Sequence, residues 1–559
     1  MRALKQKLAR LVLPLAMRRI EARYRRPLLK LAEDPETAQR QLLSSILRAN
    51  QQTDFGRRHG FAAIADWQAF RDAVPVQSYE DLRQAIERQA RDGRPLLTEA
   101  QPLCYARTSG TTGQPKDIPV TACIIRQNSE AQQLSALTLY RRTRFFEGEV
   151  LAFTGAAVEG RKGCGIAFGS ATGQAQASLS SLVKALFVLP DAASAIEDYE
   201  QKYYLAALLG LASSKLTGLA AANPSTFLKL VETVQQLRHR LLADLSCRNS
   251  ALLDQLQPRL ASEVRRRLKR SRPLPTRLRD LLAGDRPLSL NALWPDLGAL
   301  YTWTGGSCAV ALEALRPQLP ADCQIVDIGY RASEVIATVN LDGPGQGCLP
   351  TLNHTVFEFV ERAAWEDGRP DFRTLAELEE GAAYYVFVTT AAGLYRYDMN
   401  DLVRVTGWIG RTPTLAFLRK GRGVTSITGE KLAEEDVIAA VTAWLTAKGR
   451  HAPFFVALAD PRSRGYRLLI ELEGRVADRD AAAIDAALRA RNLEYDAKRA
   501  SGRLKPLQLV PLIRGAGEAC KRQALARAQR EAQYKPVCLA EAGDWSFDLS
   551  AFQLPEGAQ

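Results

Sequence analysis

The sequence predicts an α/β fold in two parts, a large N-terminal α/β domain followed by a smaller α+β domain. Three observations carry that expectation. A chain of 559 residues is too long for one core and calls for several domains, or for one large and one small. The apolar run Leu300-Tyr301-Thr302-Trp303 leads into Thr304-Gly305-Gly306-Ser307 and a helix from about Val310, the strand, tight turn and helix of open α/β sheets. Beyond Phe417–Gly423, strand-like runs near Phe454–Leu458 and Tyr466–Leu472 accompany helical patterns near Ala481–Ala490 and Lys521–Glu531, a small α+β unit.

Composition narrows the function classes. An apolar fraction of 46% is that of a globular protein, and no apolar run has the eighteen or so uncharged residues needed to span a bilayer. The nine cysteines include no Cys-x-x-Cys pair and the four histidines are far apart, so neither a zinc site nor a disulfide framework is indicated. A cytoplasmic location is expected. The net charge of +14 asks for an anionic partner. Its densest block, Arg265-Arg266-Arg267-Leu268-Lys269-Arg270-Ser271-Arg272, lacks interleaved aromatics and reads as a solvated helix face, with no nucleic acid expected.

Along the chain, Leu4, Leu8, Leu11 and Leu15 recur at helical spacing among Arg2, Lys5, Lys7, Arg10, Arg18 and Arg19, which predicts a basic amphipathic helix within residues 1–30. Pro14 is expected to kink or interrupt it. Such a helix can lie on an anionic membrane surface, serve as a targeting segment, or pack against the body of the protein. Thr53–Phe61 is a glycine-punctuated turn, Val74-Pro75-Val76 an extended segment, and Ser78 the N-cap of the next helix. Asp191–Asp280 has helical periodicity, with Asn223-Pro224-Ser225 as a helix start.

The stretch Thr108-Ser109-Gly110-Thr111-Thr112-Gly113-Gln114-Pro115-Lys116 is built to hold a polyphosphate. Glycines let the backbone approach an anion, the hydroxyls donate to it, and Lys116 adds charge. A P-loop is disfavoured, because Lys116 follows Pro115 and precedes Asp117. Further on, the strand Ile325–Ile328 delivers Tyr330 and Glu334 at its carboxyl end, an aromatic ring for a purine and a carboxylate for magnesium. A strand followed by an ordinary helix cap at Ser333 explains the same residues. The strands Thr355–Val360 and Tyr384–Thr390 lead to Gly393–Val403, where Asp401, just past a strand, can accept from ribose hydroxyls.

The pattern T-S-G-T-T-G-x-P-K resembles the ATP-gripping loop of the adenylate-forming superfamily. The ordered series T-D-F-G-R-R-H-G-F, V-P-V, Y-E-D-L, I-E-R, Y-R-A-S-E, Y-R-Y-D-M-N-D, I-T-G-E-K-L and Q-Y-K-P is similar to the auxin-responsive promoter-type acyl acid amido synthetases from Thr53 to Pro536. That resemblance implies an adenylate-forming domain over 1–419 and a mobile C-terminal domain over 420–559. It implies ATP held by Thr108, Ser109, Gly110, Thr111, Thr112, Gly113, Lys116, Tyr330, Ser333 and Asp401, with Mg2+ on Glu334. Lys535, from the mobile domain, would meet the alpha phosphate, making Lys535 and Glu334 the catalytic pair. The sequence departs from the family at Asn400, where glycine is usual, and at Asp398, where a basic residue often lies; Asn tolerates a positive φ.

The implied activity is activation of a carboxylic acid as an acyl adenylate, followed by transfer to an amine, an amino acid in the first instance. Two alternatives stay open: an acyl-CoA ligase, and a non-catalytic, membrane-associated adenylate-binding homologue. Peripheral contact of residues 1–30 with the inner face of a membrane belongs to the expected partners.

Overall fold

Four short runs, Glu149–Ala152, Leu216–Ala220, Ala299–Thr302 and Gln324–Asp327, lie side by side in that order as a parallel sheet. Parallel strands are covered on both faces, so they read as apolar runs without alternation. Leu151, Leu219 and Leu300 join a core with the helices Tyr199–Leu211 and Ser225–Cys247, while Val150, Ala152, Ala299 and Val326 pack with Leu139 and Phe145 in another. The strand Leu216–Ala220 is an element that the expectation of helical periodicity over Asp191–Asp280 did not include, while the helix Ser225–Cys247 begins where Asn223-Pro224-Ser225 predicts a start. Leu216, Thr217, Gly218 and Leu219 are buried, and the strand carries neither alternation nor β-branched enrichment to give it away.

The computed structural model describes residues 2–553 apart from 109–115, 159, 162–165, 170–172, 174–175, 178, 306–307, 344–346, 367, 422, 451, 473–475, 518, 521–522, 524–536 and 546. The chain divides into two compact units, the first made of residues 1–108 and 116–418 and the second beginning at Arg419.

In the first unit a second sheet pairs Cys104–Thr108 with Lys116–Val120 antiparallel, Thr108 opposite Lys116. A third has five strands in the order Phe372–Arg373, Thr355–Glu361, Ala383–Thr390, Tyr397–Ile409, Thr412–Lys420. Its apolar face shares one core with Leu28, Leu43, Leu47, Phe55, Phe61, Leu82, Ile86, Tyr105 and Ile118, so the helices before residue 93 close over it. Ser78 caps the helix Tyr79–Asp92 in a reciprocal capping box with Asp81.

The N-terminal helix runs from Arg2 to Ile20 with Pro14 inside it, so of the expected kink or interruption the interruption does not occur. A proline in a helix interior costs about 3 kcal/mol, and tertiary packing offsets that cost here. Met17 and Ile20 are buried against Leu137, and Gln6 donates to Oε1 of Glu149 at 2.8 Å and to the Ala185 carbonyl at 3.0 Å.

The second unit is an α+β layer. Phe455–Asp460 and Gly465–Glu471 pair antiparallel, with Leu539–Glu541 and Gln508–Leu512 added parallel on either side. Helices Glu434–Lys448, Asp478–Arg491 and Leu493–Ala500 accompany it. Val437, Val441, Trp444, Ile484 and Leu488 share one core with Ala457, Leu468 and Ile470, and Val456, Leu458 and Leu469 belong to another. The helix predicted near Lys521–Glu531 lies for the most part outside the described residues.

Candidate active site

The carboxyl ends of two parallel strands are tied together first. Asp327, the last residue of Gln324–Asp327, accepts from Thr304 Oγ1 at 2.6 Å and from the Gly329 amide at 3.0 Å. Burial pushes its carboxyl above the usual carboxylate range. Thr304 follows the neighbouring strand Ala299–Thr302, so this bond sets the spacing of the two strand ends where open sheets bind ligands. The rest of that turn, Gly306 and Ser307, lies outside the described residues.

No helix follows Asp327. The chain turns at Gly329, whose φ is +89° and where a Cβ would stand 2.9 Å from the Thr338 carbonyl. Tyr330 then pairs with Thr338: the Tyr330 amide donates to Thr338 Oγ1 at 2.8 Å, and the Ala337 and Thr338 amides donate to the Tyr330 carbonyl. Ala332 N donates to the Val335 carbonyl at 2.8 Å. The result is a pinned loop with Ser333 and Glu334 at its bend, both half-buried. This removes the helix-cap explanation of Ser333.

The Tyr330 side chain is buried and its hydroxyl donates to Oδ2 of Asp401 at 2.6 Å. Its ring lies 5.7 Å from that of Phe417. Asp401 does not sit past a strand end, as expected, but inside the strand Tyr397–Ile409. The strand bulges there: Phe387 opposes Asp398 and Tyr385 opposes Leu402, four steps against two. Asn400 takes φ +47° and its amide donates to Oδ1 of Asp398 at 2.7 Å. The residues that depart from the family pattern thus build the bulge themselves, an Asx turn with a tolerant residue at the left-handed position.

Lys116 reaches the same place from the hairpin. Its Nζ stands 3.5 Å from the Tyr397 hydroxyl and 5.5 Å from the centre of the Tyr79 ring. The Tyr79 hydroxyl accepts from the Asp117 amide at 2.8 Å, and burial pushes its phenol up to about 12. Burial also raises the phenols of Tyr330 and Tyr397 well above their ordinary value, and the charges of Glu334, Asp398 and Asp401 add to both shifts. Lys116, Glu334, Asp398 and Asp401 are therefore gathered around two neutral tyrosines. Ser109, Gly110, Thr111, Thr112 and Gly113 lie outside the described residues, as does Lys535; of Thr108 only the backbone, paired with Lys116, is described.

Several residues that hold this site have no obvious sequence signal. Glu358 is buried and accepts from Nε of Arg71 and Nε of Arg396, each at 2.9 Å. Arg396 also donates to the Val74 carbonyl at 2.9 Å, and the Gln77 amide donates to the Arg396 carbonyl at 3.1 Å. Tyr395 stacks on Phe55 at 4.8 Å and donates to the Leu97 carbonyl at 2.7 Å. The stretch that carries Asp401 is thus bolted to residues 55–97.

Residues 25–323 match the GH3 family N-terminal domain, 348–420 the GH3 family central domain and 435–543 the GH3 family C-terminal domain. The chain belongs to the GH3 family. An indole-3-acetic acid-amido synthetase, GH3.15 of Arabidopsis thaliana, is 28% identical over 478 residues, covering 78% of this chain and 76% of the relative. A jasmonoyl–L-amino acid synthetase, JAR4 of Nicotiana attenuata, is 26% identical over 74% of each chain. Among solved structures, the GH3.15 acyl acid amido synthetase in complex with 2,4-DB shares the fold, with a TM-score of 0.65 and 23% identity over 94% of this chain and 95% of that one. This GH3 chain thus shares the two-part α/β fold of that solved amido synthetase.

Proposed function

We propose that this GH3-family chain is an amido synthetase that activates a small carboxylic acid as its acyl adenylate and passes the acyl group to the amine of an amino acid. A carboxylate oxygen attacks the alpha phosphorus of ATP and pyrophosphate leaves. The amine nitrogen then attacks the acyl carbon and loses a proton, and AMP departs with the former carboxylate oxygen. The first step needs an in-line geometry and shielding of phosphate charge.

The observation that carries this reading is the gathering of Lys116, Glu334 and Asp401 around Tyr330 and Tyr397. In it Lys116, with Thr108 to Gly113, grips the outer phosphates, Asp401 accepts from the ribose, Tyr330 holds Asp401 and borders the adenine, and Ser333 lies alongside. Lys535 meets the alpha phosphate, where charge grows in the transition state. Glu334 is the carboxylate for Mg2+, which shields the phosphates when bound. A single carboxylate suits that ion, which takes one or two carboxylates and completes its shell with phosphate and water. Among the described residues no group of three or more Asp, Glu, His or Cys is placed to hold a metal by itself.

An acyl-CoA ligase shares the first step, but the relatives named above are amido synthetases, which favours the amide. Incubation with ATP, Mg2+ and a panel of carboxylic acids, with amino acids in one arm and coenzyme A in the other, tests the choice. Amide product is expected, exclusive thioester would overturn it, and no acid-dependent pyrophosphate release would leave the non-catalytic alternative.

A further inference from the structure

The helix Arg2–Ile20 packs through one face only. Ala9, Met17 and Ile20 are buried and Gln6 is bonded to Glu149 and Ala185. The leucines that sequence spacing picks out are on the other side: Leu4, Leu8, Leu11, Val12 and Leu15 are 71, 46, 78, 42 and 53% exposed. Their spacings of four, three, one and three residues put them in one stripe about three turns long. Lys5, Lys7, Arg10, Arg18 and Arg19 are exposed around it, and the helix contains no Asp or Glu.

Scattered surface leucines need no explanation, but five in a row on a helix whose opposite face is already packed form a patch that lacks a partner. The charge selects that partner. A second copy of this chain would bring the same basic helix against its twin, and like charges in register oppose pairing. An anionic lipid surface satisfies both features, accepting apolar side chains at the acyl boundary and cations at its phosphates. No described helix is long and apolar enough to cross a membrane, so the contact is peripheral. The match to the GH3 N-terminal domain begins at residue 25, after this helix.

We propose that the outer face of Arg2–Ile20 lies on an anionic membrane surface, with Leu4, Leu8, Leu11, Val12 and Leu15 in the acyl boundary and the flanking lysines and arginines on lipid phosphates, while the inner face holds the first unit there. This stands independently of the reaction assigned above.

Co-sedimentation of the full chain with vesicles of phosphatidylcholine containing about one-third phosphatidylglycerol, compared with pure phosphatidylcholine, tests it. Binding to the anionic vesicles is expected, weakening as salt is raised. Leu8→Glu combined with Leu11→Glu should lower partitioning about tenfold or more while leaving the thermal melt and acid-dependent pyrophosphate release as in the parent. No binding by the parent chain, or equal binding by the double variant, would overturn the proposal. So would a concentration-dependent dimer in sedimentation velocity that the same double variant dissolves, because a second copy would then cover the stripe.

Discussion

The phenol of Tyr330 donates to Oδ2 of Asp401 across 2.6 Å, with both residues buried. The two stand 71 residues apart in the chain, one in a pinned loop after the parallel sheet and the other in a bulge of the antiparallel sheet. Their bond joins the two sheets at the place where Lys116 and Glu334 also arrive.

Tyr330→Phe keeps the ring and removes the donor. A carboxylate oxygen that loses its hydrogen-bond donor in a buried place costs about 1–3 kcal/mol. The melting temperature should fall by a few degrees, and ATP affinity should fall by about one order of magnitude, measured by calorimetric titration at fixed ionic strength well below the melt. Asp401→Ala should fall further. Unchanged affinity in both would detach the pair from the nucleotide.

Lys116→Ala removes the charge assigned to the outer phosphates. Hydrogen bonds to charged groups are worth about 1.5–3 kcal/mol, so ATP should bind roughly ten- to a hundredfold more weakly. AMP, which lacks those phosphates, should bind as before. An equal loss for AMP would mean that Lys116 supports the fold of the site and does not grip phosphate.

Glu358→Gln leaves Arg71 and Arg396 facing each other without the acid between them. Breaking a buried ion pair by removing one partner costs about 3–5 kcal/mol. Urea unfolding should show a loss of that size. Since Arg396 anchors the stretch leading to Asp401, ATP affinity should fall as well. A loss within the noise of the fit would show the triad to be incidental.

Tyr79 predicts an alkaline limit. Its phenol titrates near 10 when unfolded and is pushed up to about 12 by burial in the folded chain. The folded state therefore holds the proton more tightly, and this contribution is fully present below pH 10 and is lost as pH rises to about 12. Tyr79→Phe should flatten the fall in the urea midpoint across that window. Parallel curves for parent and variant would place the loss in other groups.

Part of this arrangement was legible in the sequence because its landmarks are side chains with specific local roles. Phe55 and Phe61 flank Tyr395, Ser78 caps its helix, and Glu430, fully buried, accepts from the Ile427 and Thr428 amides and the Tyr466 hydroxyl. Each depends on its side-chain chemistry, so each leaves a signature. What was hidden is what depends on distant partners. Leu216–Ala220 is a strand only because two neighbours flank it. Pro14 stays helical through packing, and the leucines of the same helix face outward for want of a neighbour. Asp401 lies within a strand because the register against Ala383–Thr390 slips, which no local pattern records. Glu358 reads as one more residue of an apolar strand until Arg71 and Arg396 meet it.

The most direct test follows an oxygen atom. With a carboxylic acid labelled with 18O in both carboxylate oxygens, ATP, Mg2+ and an amino acid, one labelled oxygen should appear in the phosphate of AMP for each amide formed. Label in inorganic phosphate with ADP as the coproduct, or AMP free of label, would contradict attack at the alpha phosphorus and with it the nucleotide site assigned to Lys116, Glu334 and Asp401.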